Sequence, residues 1–256
     1  MRVKLSKIRF GYSPQNPVLK DVGFSADEGE FIFLIGVNGS GKSTLLKIIA
    51  GFLHPQSGEV EIEGKNLNAY NHRELAELLA YVPQNYLPTF PYTVYEFVAT
   101  GRTPYLNFYG KLKKRDKEIV ERNLELIGAE KIANKEITKI SGGEFRRVLI
   151  ARALTQEPKI LLLDEISAFL DIEHQISIFE FLSELNRNEK ITIISVSHDL
   201  NLAGMFAQNI VLLSNGFAEK NPKEKILTTE NIKKHFGVNS IVNKFDDSLN
   251  VTILRW

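Results

Sequence analysis

A glycine-rich segment, GVNGSGKST, begins at Gly36 and holds the residue types that bind phosphate. It satisfies the pattern G-x-x-x-x-G-K-[ST] through Gly36, Gly41, Lys42 and Ser43. Glycines in such a loop let successive backbone N–H groups turn toward phosphate oxygens. The lysine adds a positive charge at the β- and γ-phosphates, and the serine hydroxyl can bind Mg²⁺. The segment therefore predicts a nucleoside-triphosphate site, to which we also assign Asn38, Gly39, Ser40 and Thr44.

Two adjacent carboxylates, Asp164 and Glu165, end the apolar segment KILLLDE. The carboxyl end of a parallel strand is where ligands of α/β proteins bind. We expect Asp164 to hold Mg²⁺ through water and Glu165 to polarise an attacking water as a general base. A solvated acidic turn after a strand is the alternative. The phosphate-binding segment elsewhere in the chain argues against that alternative.

Three further polar or aromatic residues follow predicted strands, and each alone could be purely structural. His198 ends ISVSH and could contact a γ-phosphate and position water. Gln84 ends YVPQ, and its amide offers both a donor and an acceptor to Mg²⁺ or water. Tyr12 follows the first strand, where its ring could stack on a purine. The phosphate-binding segment favours the functional interpretation of all three.

The pattern of predicted elements indicates how these residues are positioned. FIFLI, directly before Gly36, is a continuous apolar run, as expected of a strand covered on both faces, and a helical pattern follows it. KILLLDE, ITIISVSHD and NIVLLSNG are further strands separated by helices, an alternation that predicts a parallel sheet. The start of the chain alternates like a strand, and helical periodicity dominates from about 85 to 155. We therefore predict one α/β domain over 1–256, with a parallel core, an N-terminal antiparallel β portion, a helical insertion near 85–155 and VTILRW as a last strand.

The segment ISGGEFRR, residues 140–147, has two interpretations. Ser141 and Glu144 fit the capping box Ser-x-x-Glu, which predicts a helix start. Gly142 and Gly143 lie inside that box, where helix propensity is poorest, so a close approach to the backbone is the other interpretation. Both can hold, because the N-terminal end of a helix attracts anions. In that case Glu144 must fold back on Ser141, since a carboxylate facing a phosphate would repel it.

Composition excludes several classes of protein and site. Lys plus Arg is 32 against Asp plus Glu 31, so the net charge of +1 does not favour binding to nucleic acid. Cysteine is absent, which excludes disulfides and thiolate metal sites. The start of the chain lacks the apolar core of a signal peptide, and no run reaches the roughly 18 apolar residues of a membrane span. A role at a membrane would therefore need a partner.

With these motifs in order, the chain resembles an ATP-binding-cassette (ABC) ATPase from Val3 to about Gly237. The resemblance implies a P-loop NTPase fold with a RecA-like parallel sheet and a helical subdomain. The matching motifs, in chain order, are Tyr12 as the A-loop aromatic, 36–44 as Walker A, Gln84 as the Q-loop, ISGGE as the signature, ILLLDE as Walker B, AFLD (168–171) as the D-loop and His198 as the switch histidine. The chain departs from the usual family residues at Val37, Glu144, Ile166 and Phe169.

The resemblance also implies an assembly. Two copies would form a homodimer that sandwiches ATP and Mg²⁺, with Ser141, Gly142 and Gly143 of one copy on the γ-phosphate bound to the other. Metal ligation is carried over to Ser43, Gln84 and Asp164, and catalysis to Glu165, His198 and Gln84. The implied partners are integral membrane permease subunits and, indirectly, an extracytoplasmic substrate-binding protein, with no nucleic acid. The implied location is peripheral, on the cytoplasmic face of the membrane.

A finer resemblance concerns residues 81–110, where a Q-loop is followed by TV-x-E-x-V and GR-x-P. These motifs, together with LDIEHQ (170–175), are similar to the corresponding sequences in the ATPases of ferric-siderophore, haem and cobalamin importers. The chain would then power the uptake of a metal chelate. The alternative is a soluble cassette ATPase without a membrane partner, an assembly factor of the iron–sulfur cluster type.

Eight aromatic residues are concentrated in 86–109. They could form the core of the helical insertion, or a groove for a helix of a membrane subunit, since aromatics are enriched at interface hot spots. Both interpretations remain open at the level of sequence. The eight are Tyr86, Phe90, Tyr92, Tyr95, Phe97, Tyr105, Phe108 and Tyr109.

Overall fold

The structure is a computed structural model that describes residues 1–13, 15–88, 90–107, 109–168 and 170–254. The chain forms two compact units. The first comprises Met1–Ala69 and Phe179–Trp256, and the second comprises Tyr70–Ile178. None of the helices in the described residues is long and apolar enough to span a membrane.

The described residues form strands and helices in alternation along much of the chain. The strands are β1 (Val3–Ser13), β2 (Asn16–Ala26), β3 (Phe31–Ile35), β4 (Ser57–Ile62), β5 (Lys65–Asn66), β6 (Leu79–Val82), β7 (Ile160–Asp164), β8 (Thr192–Val196), β9 (Asn209–Ser214), β10 (Phe217–Pro222), β11 (Ser240–Phe245) and β12 (Ser248–Ile253). The α-helices are α1 (Lys42–Ile49), α2 (His72–Ala76), α3 (Val94–Ala99), α4 (Lys114–Leu126), α5 (Gly142–Thr155), α6 (Ile172–Glu189), α7 (Leu200–Phe206), α8 (Lys223–Ile226) and α9 (Thr229–Phe236). Short 3₁₀ helices cover 67–69, 100–105, 130–132 and 137–139.

The sheet of the first unit has the strand order β5-β4-β1-β2-β10-β9-β3-β8. Toward one end of this order, β3 pairs in parallel with β8 and with β9. All five residues of β3 are fully buried, as its continuous apolar sequence predicts for a strand covered on both faces. Phe33 packs against Phe179 with ring centroids 5.3 Å apart, and Phe179 stacks on Phe206 at 5.7 Å.

The N-terminal part of that sheet is antiparallel. β1 pairs with β2 on one side and with β4 on the other, and β4 pairs with β5. β1 alternates between buried and more exposed residues because one of its faces lies on the core. The α/β fold class predicted from the sequence is confirmed, including the antiparallel N-terminal strands.

The second unit contains two parallel strands, β6 and β7, paired from Leu79 with Ile160 to Val82 with Leu163. Helices α3, α4 and α5 pack on one another in this unit. Phe97 on α3 is buried and its ring lies 5.3 Å from that of Tyr86 and 6.3 Å from that of Phe145. Other aromatic side chains of this region lie at the surface, namely Phe90, Tyr92 and Tyr109. Phe108 lies outside the described residues.

Arg102, from the GR-x-P segment, is a buried cation that ties together three parts of the second unit. Its guanidinium donates to Asp116 Oδ1 at 2.9 Å, to the Thr155 carbonyl at 2.9 Å and to Glu157 Oε2 at 2.8 Å. It also lies over the Tyr105 ring, 3.9 Å from the centroid. Burial alone would raise the pKa of Asp116, but hydrogen bonds from the Lys113 N–H and from Arg102 hold that pKa below its usual value. The arginine of the GR-x-P motif therefore has a structural role, since it links the start of α4 to the end of α5.

The chain ends in an antiparallel pair of strands, β11 and β12, called here the C-terminal hairpin. The predicted last strand over VTILRW is confirmed for Val251–Ile253, but it begins three residues earlier, at Ser248. Residues 255 and 256 lie outside the described residues. The partner strand β11 was not predicted, since Ser240–Phe245 mixes exposed polar and apolar residues without a clear period.

Candidate functional site

The loop between β3 and α1 has the backbone geometry that its glycines allow. Gly36, Gly39 and Gly41 have φ values of 153°, 76° and 100°, which side-chain-bearing residues rarely adopt. A Cβ on Gly36 would lie 2.3 Å from the Leu213 carbonyl oxygen, and one on Gly41 would lie 2.7 Å from Val18 Cγ1. Glycine is therefore required by conformation at all three positions and by space at Gly36 and Gly41, as expected of the predicted phosphate-binding loop.

Lys42 lies at the start of α1 with its side chain folded into this loop. The ammonium donates to the carbonyl oxygens of Gly36, at 2.9 Å, and Val37, at 3.0 Å. The residue is 4% exposed. Ser40 presents a buried hydroxyl in the same loop that has no hydrogen-bond partner among the described residues. A buried charge beside an unsatisfied hydroxyl is expected where an anionic ligand completes the hydrogen bonding.

Tyr12, predicted to stack on a purine, lies at the surface of the first unit. Its side chain is 68% exposed, and its hydroxyl lies 3.1 Å from Thr44 Oγ1 in α1. The Phe10 ring supports it edge-on at 5.1 Å between centroids. These contacts hold an exposed aromatic ring over the helix that follows the phosphate-binding loop.

His198 is exposed and lies just beyond the end of β8. β8 is in register with β3, with Val196 opposite Leu34, and the Ser197 N–H donates to the Leu34 carbonyl at 3.3 Å. Parallel strands end at the same edge of a sheet. His198 and the phosphate-binding loop are therefore brought to one edge of the sheet of the first unit.

Asp164, the predicted metal ligand, ends β7 in the second unit and is 3% exposed. The hydroxyl of Tyr81, on the neighbouring strand β6, donates to Asp164 Oδ2 at 2.9 Å. Burial and the adjacent carboxylate raise the pKa of the Tyr81 phenol well above its usual value, so Tyr81 remains a proton donor. This hydrogen bond fixes the orientation of the Asp164 carboxylate.

Glu165 follows directly and has a φ of 50°, in the left-handed region that costs a non-glycine residue about 1–3 kcal/mol. The Gln84 amide Nε2 donates to Glu165 Oε2. The Ala168 N–H closes a turn onto the Glu165 carbonyl at 3.1 Å. Two predicted catalytic residues of the second unit are thus in contact, and the strained backbone directs the Glu165 carboxylate toward the Gln84 amide.

The segment ISGGE begins α5 and contains the predicted capping box. The Glu144 N–H donates to Ser141 Oγ at 3.3 Å, and the Ser141 N–H donates to Glu144 Oε2 at 2.8 Å. The hydrogen bonds from Ser141 hold the pKa of Glu144 below its usual value. The expectation that Glu144 folds back on Ser141 is confirmed, while Ser141 and Gly142 remain exposed at the helix end.

The Gly143 backbone is covered by the side chain of His174, on α6. A Cβ at this position would lie 3.3 Å from His174 Cδ2. Asp171 holds the imidazole, with Oδ1 2.6 Å from Nδ1, and also accepts the His174 N–H at 2.9 Å. These bonds, chiefly the backbone one, lower the pKa of Asp171. A side chain at position 143 would therefore have to displace the His174 ring slightly, whereas a Cβ on Gly142 would meet no atom within 4 Å.

Glu144→Gln is expected to change the rate of ATP hydrolysis by less than about threefold. The amide oxygen can still accept from the Ser141 N–H, and only the charge at the helix N-terminus is lost. Steady-state phosphate release by the purified variant and by the unaltered chain measures this. A large gain in rate would show that the carboxylate faces the bound phosphate in the active state.

Several residues that contact the predicted site residues were not themselves predicted from the sequence. Tyr81, Asp171 and His174 contact predicted site residues, yet a tyrosine inside a strand and an Asp–His pair at the start of a helix are ordinary in sequence. A phenol in the otherwise apolar segment LAYV was the one available signal for Tyr81. The departure at Ile166 is fully buried, so this residue packs in the core where the family usually has proline. Phe169, the other departure near it, lies outside the described residues.

The donor set suits Mg²⁺ rather than a metal held by the protein alone. Within the described part of the chain, no group of three or more His, Cys, Asp or Glu residues could hold a metal ion. The predicted ligands are instead one hydroxyl, one amide and one carboxylate, at Ser43, Gln84 and Asp164. Mg²⁺ favours oxygen ligands and commonly takes few from protein and the rest from phosphates and water.

Comparisons with known proteins agree with this arrangement of motifs. A family profile described as ABC transporter matches residues 19–168. The ferric enterobactin transport ATP-binding protein FepC of Escherichia coli K12 is 35% identical over 94% of this chain and 89% of its own. The achromobactin transport ATP-binding protein CbrD of Dickeya dadantii 3937 is 37% identical over 91% of this chain and 86% of its own.

Solved structures of similar fold cover most of the chain. A metal-chelate type ABC transporter in an inward-facing conformation is 26% identical, with a TM-score of 0.85 over 99% of this chain and 96% of that one. The dimeric ATP-binding cassette MJ0796 in a post-hydrolysis state, bound to ADP and Pi, is 30% identical, with a TM-score of 0.74 over 86% of this chain and 98% of that one. The profile match and the relatives above 30% identity show that this chain belongs to the ABC transporter family, as an ATP-binding subunit with ATPase activity.

Proposed function

We propose that the chain is the ATPase subunit of an importer and that it powers the uptake of a metal chelate across a membrane. The observation that carries this proposal is the likeness, over about nine-tenths of the chain, to ATP-binding proteins named for the transport of ferric siderophores. The similar fold of a metal-chelate type transporter supports it. The chelate itself contacts none of the groups described above, so the proposal extends to the class of iron–siderophore, haem or cobalamin and no further.

The proposed nucleotide binding uses the first unit. Tyr12 stacks on the purine, and the loop 36–44 surrounds the phosphates with backbone N–H groups. Lys42 and the Ser40 hydroxyl, both buried in this loop, bind phosphate oxygens, and this binding satisfies Ser40. Ser43, Gln84 and Asp164 would hold Mg²⁺, which would supply positive charge to the phosphates.

The proposed hydrolysis uses Glu165 as the general base toward water, with Gln84 and His198 positioning that water and the γ-phosphate. The Gln84 amide contacts the Glu165 carboxylate, so it can orient the base before a nucleotide binds. Proton transfer by a positioned carboxylate contributes about 10²–10⁴ to a rate. This is the largest contribution assigned to one residue here.

The proposed active assembly is a homodimer. The exposed start of α5, at Ser141 and Gly142, carries partial positive charge. The capping box folds the Glu144 side chain back on Ser141, so the helix end is available to the γ-phosphate bound by a second copy. The dimeric form of a structurally similar cassette bound to ADP and Pi supports this arrangement.

The proposed site for the permease is a cleft of about 280 Å³ in the second unit. Leu87, which lines it, is 89% exposed, and Tyr86 and Phe145 supply aromatic surface. An exposed leucine grouped with aromatic rings in one cleft forms the kind of apolar patch that marks a protein interface. A helix from an integral membrane subunit would place the chain on the cytoplasmic face of the membrane, with a substrate-binding protein on the opposite side.

The test is a purification of the tagged chain from detergent-solubilised membranes of its host, combined with uptake of a labelled ferric siderophore. A polytopic membrane protein should co-purify, and Leu87→Asp should prevent this by placing a charge in the cleft. Leu126→Asp, at an exposed leucine of α4 outside the cleft, is the matched control. Normal uptake in a deletion strain, with co-purification of soluble iron–sulfur assembly proteins, would contradict the proposal.

A further inference from the structure

The position of His198 is coupled to that of helix α7. Ser197 Oγ accepts the Asp199 N–H at 3.0 Å. Asp199 Oδ1 in turn accepts the N–H groups of Asn201, at 2.8 Å, and Leu202, at 3.1 Å, and so caps α7. His198 lies between two residues of this continuous hydrogen-bonded turn. A movement of α7 therefore moves the histidine, whereas Ser197 is held by the sheet.

The C-terminal hairpin is bonded to the first turn of α7 through one side chain. The Val251 N–H donates to Asn201 Oδ1 at 2.7 Å, and Asn201 Nδ2 donates to the Val251 carbonyl at 3.4 Å. Val251 lies in β12, and its backbone N–H and C=O lie on the edge of this strand that is not paired with β11. The Asn201 amide bonds to both of these groups. A side chain that satisfies an edge strand in this way fixes the strand and the helix relative to each other.

One turn further along α7, the backbone of β12 approaches the helix directly. A Cβ on Gly204 would lie 2.1 Å from the Leu249 carbonyl oxygen. Glycine inside a helix is unfavourable compared with alanine, so its presence needs a reason. The close approach of the hairpin supplies that reason. Leu249 and Val251 are buried, whereas the outward-facing residues of the hairpin remain exposed.

We propose that the C-terminal hairpin is a clamp that sets the position of His198, and that Asn201 and Gly204 are positioning residues for ATP hydrolysis. The hairpin contacts α7, α7 begins at the Asp199 cap, and His198 precedes that cap. The inference rests on the role of His198 in the proposed function. The C-terminal hairpin, which follows the last family motif in the chain, would then affect the rate of hydrolysis and not the binding of nucleotide.

The experiment measures single-turnover ATP hydrolysis with enzyme in excess, together with affinity for a fluorescent ATP analogue and thermal stability. Asn201→Ala removes both hydrogen bonds to Val251, and Gly204→Ala forces the hairpin away from α7. Each variant should lower the hydrolysis rate constant about tenfold while nucleotide affinity stays within about twofold, because only the position of a reacting group changes. Asn243→Ala, on the exposed face of the same hairpin, is the matched control and should have no effect.

The same two substitutions are then made in a His198→Ala background. If the clamp acts through His198, neither lowers the rate further, since residues that act as one unit are not additive. Unchanged rates in both single variants, or an equal further loss in the His198→Ala background, would overturn the clamp. A normal rate for His198→Ala itself would instead contradict the proposed role of that histidine.

Discussion

Glu165→Gln is expected to lower ATP hydrolysis by about 10³-fold while leaving ATP binding intact. Glutamine has nearly the same shape as glutamate but cannot accept the proton of an attacking water, and general base catalysis contributes about 10²–10⁴ to a rate. The hydrogen bond from Gln84 can be retained by the new amide oxygen, so the local structure should persist. Steady-state phosphate release measures the loss, and a fluorescent ATP analogue measures binding.

The variant should also accumulate as an ATP-bound dimer, because hydrolysis no longer separates the two copies. Size-exclusion chromatography with light scattering, with and without ATP, measures this. Glu173→Gln, at an exposed carboxylate in the first turn of α6, is the matched control and should keep both normal turnover and a monomer–dimer balance like that of the unaltered chain. Near-normal hydrolysis by Glu165→Gln would show that another group is the base.

Lys42→Ala is expected to weaken ATP binding by about 100-fold, which corresponds to about 2.7 kcal/mol. The substitution removes the positive charge of the loop, and that charge is almost fully buried. It also removes the hydrogen bonds that the Lys42 ammonium donates to the Gly36 and Val37 carbonyl oxygens. The loop without nucleotide should therefore become less ordered as well. Titration with a fluorescent ATP analogue measures the affinity.

Lys47→Ala is the matched control, since Lys47 lies in the last turn of the same helix, at the end away from the loop. It should bind ATP within about twofold of the unaltered chain, because a charge at that helix end contributes little. Thermal unfolding separates a binding defect from a folding defect. Equal affinity of Lys42→Ala and the unaltered chain would show that the phosphates do not contact this lysine.

The strands of the core and several features of the candidate site could be predicted from sequence. FIFLI, KILLLDE and NIVLLSNG each contain an uninterrupted apolar run, and such runs have few alternatives to a buried strand once glycine or polar residues end them. The capping box at Ser141 and Glu144 was predictable for a related reason, since both of its hydrogen bonds join residues three apart in sequence. Patterns of this kind are predictable because the residues that interact are close together in the sequence.

Contacts between distant segments could not be predicted in the same way. The phenol of Tyr81 and the carboxylate of Asp164 are 83 residues apart, and Asn201 and Val251 are 50 apart. In sequence Tyr81, Asn201 and Val251 are ordinary polar or apolar residues with no motif around them, and the motif that contains Asp164 does not indicate that Tyr81 is its partner. Arg102 belongs to a recognisable phrase, yet nothing in that phrase indicates that its partners are Asp116, Thr155 and Glu157.

The sequence by itself determined the α/β class, the glycine-rich loop predicted to bind phosphate, the order of the motifs and hence the family, because these depend on short runs whose spacing dictates local geometry. Only the tertiary structure decided which residues contact the predicted catalytic and metal-binding groups. It placed Gln84 on Glu165 and Tyr81 on Asp164, and it joined the C-terminal hairpin to the helix after His198. The physical reason is that such contacts depend on where whole strands and helices pack, and a hydrogen bond between two elements leaves no pattern in either.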